Sequence, residues 1–207
     1  MDRAMDLSCR EYTEALASVQ PTPGGGGAAA MSGALGASLC AMAAGITAGN
    51  KKFTAVKDEA EAVAKAANEL RLRFLELAEE DEKAFAPLSK AYSMDKSAPE
   101  YGETIRRASL GACRPPMEML RRGAELVVLI ERLCKICSPM LMSDVGCAAA
   151  VCAGAMSAAE QNVLVNTRSL KGDGEAEALS REAGALVSEF IPRAGAVSAG
   201  VRTLLED

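Results

Sequence analysis

Asp81 is the residue whose position in the pattern is hardest to explain structurally. Val56, Ala60, Val63, Ala67, Leu70, Phe74 and Leu77 recur in alternating steps of four and three, the spacing of a core-facing helical seam. The same seam continues through Asp81 to Ala84 and Leu88. A carboxylate on a buried face is costly unless paired or hydrogen-bonded. Burial there raises its pKa towards acid–base work near neutrality. The neighbours in Glu79-Glu80-Asp81-Glu82 read equally well as a solvated acidic run. The opposite face, Lys57, Glu61, Lys65, Glu69 and Arg73, is an i,i+4 ladder that belongs to solvent.

A second set of polar residues breaks an apolar pattern further on. Gly146, Ala150, Gly154 and Ala158 recur every four residues, and the next two steps are Asn162 and Asn166. Buried amides need several partners. These two satisfy each other across a helix pair or read a heterocycle. Ser143 and Asp144 stand where that helix begins, so either could cap it. Gly24, Gly25, Gly26 and Gly27 precede another helix. Free amides and the dipole at a helix start suit an anion. Four glycines also exceed what a turn needs, which points to close backbone approach to a ligand or partner. Lys51 and Lys52 follow that helix, where they favour its C-terminal dipole or meet an acidic ligand.

The elements that must position these residues are all helical. Ala, Leu, Glu, Lys and Met dominate, and period-two runs of β-branched residues are absent. Helices are expected over about 2–19, 28–48 and 52–91, with a kink at Pro87. A fourth begins after Ser97, and Pro115-Pro116 separates it from a fifth that ends before Ser138. A sixth covers about 143–168, and a last one runs from the Lys171–Gly174 turn to the C-terminus with a bend at Pro192. The 207 residues form a single all-α domain, a bundle of long antiparallel helices. Ala29, Gly33, Ala37, Ala41, Gly45 and Gly49 make a second ridge of small residues, which permits very tight packing, a dimer interface, or both.

Composition excludes much. With no histidine, there is no imidazole for a Ser-His-Asp or Cys-His pair, a metal ligand or a proton shuttle. Four Phe, three Tyr and no Trp argue against single-stranded nucleic-acid platforms. A net charge of -5 argues against any phosphate-backbone binder. Seven cysteines, an odd number, in apolar or helix-like surroundings and without a leader peptide suggest a reduced cytoplasmic protein. Cys134-x-x-Cys137 lacks the second pair of a zinc site and the βαβ setting of a redox motif, so both read as small hydrophobes. The uncharged stretch from Ala15 to Asn50 is long enough for a bilayer. Its prolines and glycines, and the lack of aromatic belts, favour the centre of a soluble core over a membrane-associated helix.

Three blocks, in order, carry a resemblance. Pro21-Thr22-Pro23-Gly24-Gly25-Gly26 with Ala29-Ala30, Gly33–Ala37 and Asn50-Lys51-Lys52-Phe53 resembles the opening of the folate cyclodeaminase/cyclohydrolase family. Asp81-Glu82-x-Ala-Phe85 resembles its acidic helix motif. Ser143-Asp144-Val145-Gly146, followed by Asn162-x-x-x-Asn166, resembles its third block. The blocks span essentially the whole chain and are fairly specific together. Two positions depart from the pattern. The family commonly has Ser after its third glycine, where this chain has Gly27. It commonly has Tyr after the basic pair, where this chain has Phe53.

The resemblance implies an all-α homodimer acting on the N5–N10 bridge of tetrahydrofolate, without a metal or other cofactor. The reaction is formimidoyltetrahydrofolate cyclodeamination or methenyltetrahydrofolate cyclohydrolysis. Asp81, Asp144 and Lys51 are the implied catalytic residues, with Asp81 as the general acid–base, Asp144 as a second carboxylate, and Lys51 either holding Asp81 ionised or meeting the substrate's carboxylates. Gly24, Gly25, Gly26, Lys52, Glu82, Ser143, Asn162 and Asn166 are the implied substrate contacts. The Gly27 and Phe53 departures motivate an alternative, a catalytically altered folate-binding or scaffolding relative.

Overall fold

The computed structural model describes residues 4–206. Six α-helices account for most of them: α1 (Cys9–Leu16), α2 (Gly25–Gly49), α3 (Lys57–Tyr92), α4 (Tyr101–Ile136), α5 (Met142–Thr167) and α6 (Gly174–Glu206). No strand occurs among the described residues. α2 is the central helix, packed against α3, α5 and α4, with α6 lying on α5 and α4. Cross-contacts give the directions. Gly26 faces Asp81 and Gly33 faces Phe74, so α2 and α3 are antiparallel. Gly25 faces Asn162 while Gly36 faces Ala148 and Cys152, so α2 and α5 are antiparallel too. Arg106 reaches Asp173, Arg121 reaches Glu182 and Arg193 reaches Glu131, which sets α6 parallel to α4.

The small ridges let these backbones come close. A side chain at Gly33 would run into the Phe74 ring, and one at Gly123 into Met156. The α3 seam is buried as its periodicity requires: Ala60, Val63, Ala67, Leu70, Phe74, Leu77 and Leu88 all lie inside. α2 and α5 are each long and apolar enough to cross a membrane by length and composition. In this fold about half of α2 is inside the bundle.

Several boundaries differ from expectation. The first helix does not run over 2–19. A short 3-10 turn at Ala4–Asp6 precedes α1, and Ser8 starts α1 afresh through a capping box. The Ser8 N–H donates to Glu11 Oε2 at 2.8 Å, and the Glu11 N–H donates to Ser8 Oγ at 3.3 Å. The beginning of that expected helix and the last residue of the C-terminal one lie outside the described residues. α2 starts at Gly25, not 28, so three of the four glycines form its first turn and Gly24 is its N-cap. Residues 51–56 form a separate 3-10 segment, because Asn50 Oδ1 accepts the Lys52 N–H at 3.0 Å and Phe53 leaves helical geometry. Ser143 and Asp144 do not cap α5; the N-cap is Leu141, so they sit in its first turn.

Pro115-Pro116 does not divide two helices. α4 continues through both prolines, and α3 and α6 continue through Pro87 and Pro192. A proline lacks the N–H that would bond the carbonyl four residues back. For Pro116 that carbonyl belongs to Ala112, and it instead accepts Asn166 Nδ2–H at 3.1 Å. A side chain from α5 thus replaces the missing backbone donor of α4.

Candidate active site

The first turn of α2 is the floor of the site. Its N-cap is a glycine without a side chain, and the first helical bond runs from Ala28 N–H to Gly24 carbonyl at 3.0 Å. The amides of Gly25, Gly26 and Gly27 therefore have no intrahelical acceptor. The absence of side chains lets three groups approach this turn. The Asp81 carboxylate sits against Gly26 so closely that a Cβ there would overlap it. Asn162 lies over Gly25, its Oδ1 3.4 Å from where a Cβ would be. The Tyr12 hydroxyl lies 3.0 Å from the corresponding point at Gly27.

Burial, and then the neighbouring Glu82, push the Asp81 carboxyl up to about 6. Glu82 is raised in turn by its own burial and by Glu79, against Lys83. Asn162 uses its amide N–H on the Ala158 carbonyl at 2.8 Å, which leaves Oδ1 towards the glycine turn. The cluster therefore combines a carboxyl poised near neutrality, a second carboxylate, free backbone donors and an amide acceptor. Such a set can move a proton on or off a nitrogen heterocycle without a metal.

The other candidates gather elsewhere. Thr47, near the far end of α2, donates to Ala43 carbonyl at 2.8 Å and accepts the Ser138 N–H at 3.3 Å. That bond ties the α4–α5 connection to the end of α2. The Cys137 thiol beside it is raised by burial and, among its neighbours, by Asp144. Lys51 and Lys52 lie exposed just beyond, and a hollow of about 550 Å³ there is lined by Gly45, Gly49, Asn50, Lys51, Thr54 and Lys57. By helical rise Asp144 is about 27 Å from Asn162, so within one chain Asp144, Ser143, Lys51 and Lys52 do not meet Asp81. Gly24, Gly25, Gly26, Glu82 and Asn162 do share its end. Asn166 is engaged on the Ala112 carbonyl.

Tyr12 was not singled out by the sequence. It lies on the short α1, away from every glycine in the chain order, and only packing brings it to the turn. The available signal was the Ser8-x-x-Glu11 capping box, which would have started the helix at Cys9 and made the placement of Tyr12 a question.

Comparison with known proteins fits this geometry. The formiminotransferase-cyclodeaminase family model matches residues 8–185. The methenyltetrahydrofolate cyclohydrolase of Methylorubrum extorquens is 32% identical over 182 residues, covering 86% of this chain and 88% of that one. A formimidoyltransferase-cyclodeaminase from Mus musculus is 25% identical over 199 residues, and this chain spans 36% of its length. A solved formiminotetrahydrofolate cyclodeaminase from Thermotoga maritima superposes with a TM-score of 0.82 at 30% identity, covering 97% of this chain and 96% of that one. The chain is a member of the formiminotransferase-cyclodeaminase family. Within it, the similarity extends over both a cyclohydrolase and a cyclodeaminase.

Proposed function

We propose that this protein is a folate one-carbon enzyme working at the carbon that bridges N5 and N10 of tetrahydrofolate. The observation that carries the reading is the Asp81 carboxyl, set on the side-chain-free first turn of α2 and raised to about 6. In cyclohydrolysis, water adds to the methenyl carbon as the C=N π bond breaks, giving a tetrahedral carbinol. Asp81 takes a proton from the water and returns it to N5; the C–N5 bond then breaks as the carbinol O–H proton leaves to solvent and the formyl C=O forms. In cyclodeamination, N10 attacks the formimino carbon and its proton passes to the former imino nitrogen; the protonated Asp81 carboxyl gives that nitrogen a second proton, and ammonia leaves as the methenyl cation forms. Both reactions need only proton transfer, which suits a site of carboxylates and amides. Asn162 Oδ1 and the α2 amides orient the pterin. Supplying purified protein with methenyltetrahydrofolate, then with formimidoyltetrahydrofolate, tests the reading. Loss of the methenyl chromophore above the uncatalysed rate identifies the cyclohydrolase. Its appearance with ammonia identifies the cyclodeaminase, and silence with both overturns the proposal.

The reading includes a homodimer. The outer stripe of α2 carries Leu35, Met42 and Ile46 at 55%, 42% and 50% exposure, with no charge along the helix. Val165 is a further exposed apolar residue on α5. A second copy covers this face, with the two-fold axis in the face and across the helices. That orientation sets Lys51 and Lys52 of one copy beside Asp81 and Glu82 of the other, opposite charges together. Asp144 reaches the folate site by the same route. The setting is the cytoplasm, where seven unpaired thiols persist, with no membrane or nucleic-acid partner.

A further inference from the structure

Tyr12 is 5% exposed, and its hydroxyl is buried without a hydrogen-bond partner. A buried orphan donor is costly and calls for explanation. Its surroundings supply one. The oxygen lies 3.0 Å from the point a Cβ would occupy on Gly27, with Pro23 at 3.5 Å from that same point. A side chain there would point at the space that the Tyr12 oxygen now fills. Tyr12 also faces the acid–base residues: after burial, Glu82 and Asp81 are the neighbours that disfavour its ionisation. It is held in place by α1, whose start is set by the Ser8–Glu11 capping box.

We propose that the Tyr12 hydroxyl, set against the side-chain-free turn at Gly27, positions the Asp81 carboxyl by donating to it in the working enzyme. This rests on the reading of Asp81 as proton carrier. The phenol reaches the glycine turn from another helix. Tyr12 is a positioning residue, since it acts through Asp81 and has no exposed polar atom to offer a substrate.

Four proteins test it: the parent chain, Tyr12→Phe, Gly27→Ser, and the two changes together. Removing the phenol oxygen opens the room that a Cβ at 27 requires, so the double variant is sterically consistent. Tyr12→Phe is expected to lose about tenfold in turnover and to move the Asp81 titration to higher pH, because a donor to the ionised carboxylate is gone. The double variant is expected to recover both. Gly27→Ser alone crowds the phenol and brings no gain. The Asp81 titration is read by carboxyl carbon NMR, which requires no substrate. If the parent turns over neither folate, the functional reading fails, and the titration still decides whether Tyr12 bonds Asp81. An unchanged Asp81 titration in folded Tyr12→Phe overturns the proposal. So does a folded double variant no better than Tyr12→Phe.

Discussion

The two ends of the α2–α5 pair are built from the same uncharged, small-faced helices, yet they are finished differently. At the N-terminal end of α2 the helix begins in bare glycine, and three side chains from α1, α3 and α5 crowd its free amides. At the C-terminal end it is closed by the Thr47 and Asn50 bonds, and the charged residues beyond it face outward. One end is an acidic, half-buried site already assembled. The other is a basic rim beside an open hollow. A chain that keeps its acid and its lysines about 36 Å apart, by the rise of α2, uses them separately or brings them together between copies.

The largest expected effect falls on the acidic end. Asp81→Asn should lose at least about a hundredfold in turnover if the carboxyl carries the proton. Steady-state rates near those of the parent would remove Asp81 from the mechanism. The two ends can then be joined or kept apart by mixing variants. Asp81→Asn and Lys51→Ala, each impaired alone, should recover about a quarter of parental activity when unfolded and refolded together, since half of randomly paired dimers hold one intact site. No recovery, with mixed dimers present by mass spectrometry, would make each site the property of one chain. Met42→Glu with Ile46→Glu should give monomers by analytical ultracentrifugation while the helical circular dichroism persists. Those side chains are about half exposed and add little to the core of one copy.

Acidity separates the ends more gently. Because the folded pKa of Asp81, about 6, exceeds its ordinary 3.8, the folded state binds more protons between those values. Its contribution to stability therefore falls as pH rises from about 4 to above 6. Asp81→Asn should thus melt higher than the parent at pH 8 and show less difference at pH 4. The smallest contrast is between the two asparagines. Asn166→Ala should cost about 1–3 kcal/mol of stability, because the Ala112 carbonyl loses its donor inside α4. Asn162→Ala should leave stability nearly unchanged and raise KM. Urea melts and initial rates on both variants check this.

Much of the acidic end was legible in the chain. The seam that runs from Val56 to Leu88 has a period, and a carboxylate interrupting it is visible without coordinates. The four glycines were legible as an approach point, but not as the first helical turn, because glycine is a poor indicator of helix. The meaning of Asn166 was not legible. Its pattern matched that of Asn162, and only the prolines on a different helix gave it a carbonyl to serve. Pro115-Pro116 reads as a helix break by local rules, and a tertiary hydrogen bond overrode them.

By itself the sequence determined the all-helical fold, the buried seam of α3, the absence of imidazole chemistry and Asp81 as the carboxylate to watch. These follow from periodicity and residue chemistry, which are local. Only the tertiary structure decided which candidates meet. Antiparallel packing of α2, α3 and α5 joins Gly26, Asp81 and Asn162, sends Asp144 and Lys51 to the far end, and carries Tyr12 from an unremarked helix to the glycine turn. Helix direction and contact register arise from side chains fitting between helices, and no spacing along one strand of sequence contains them.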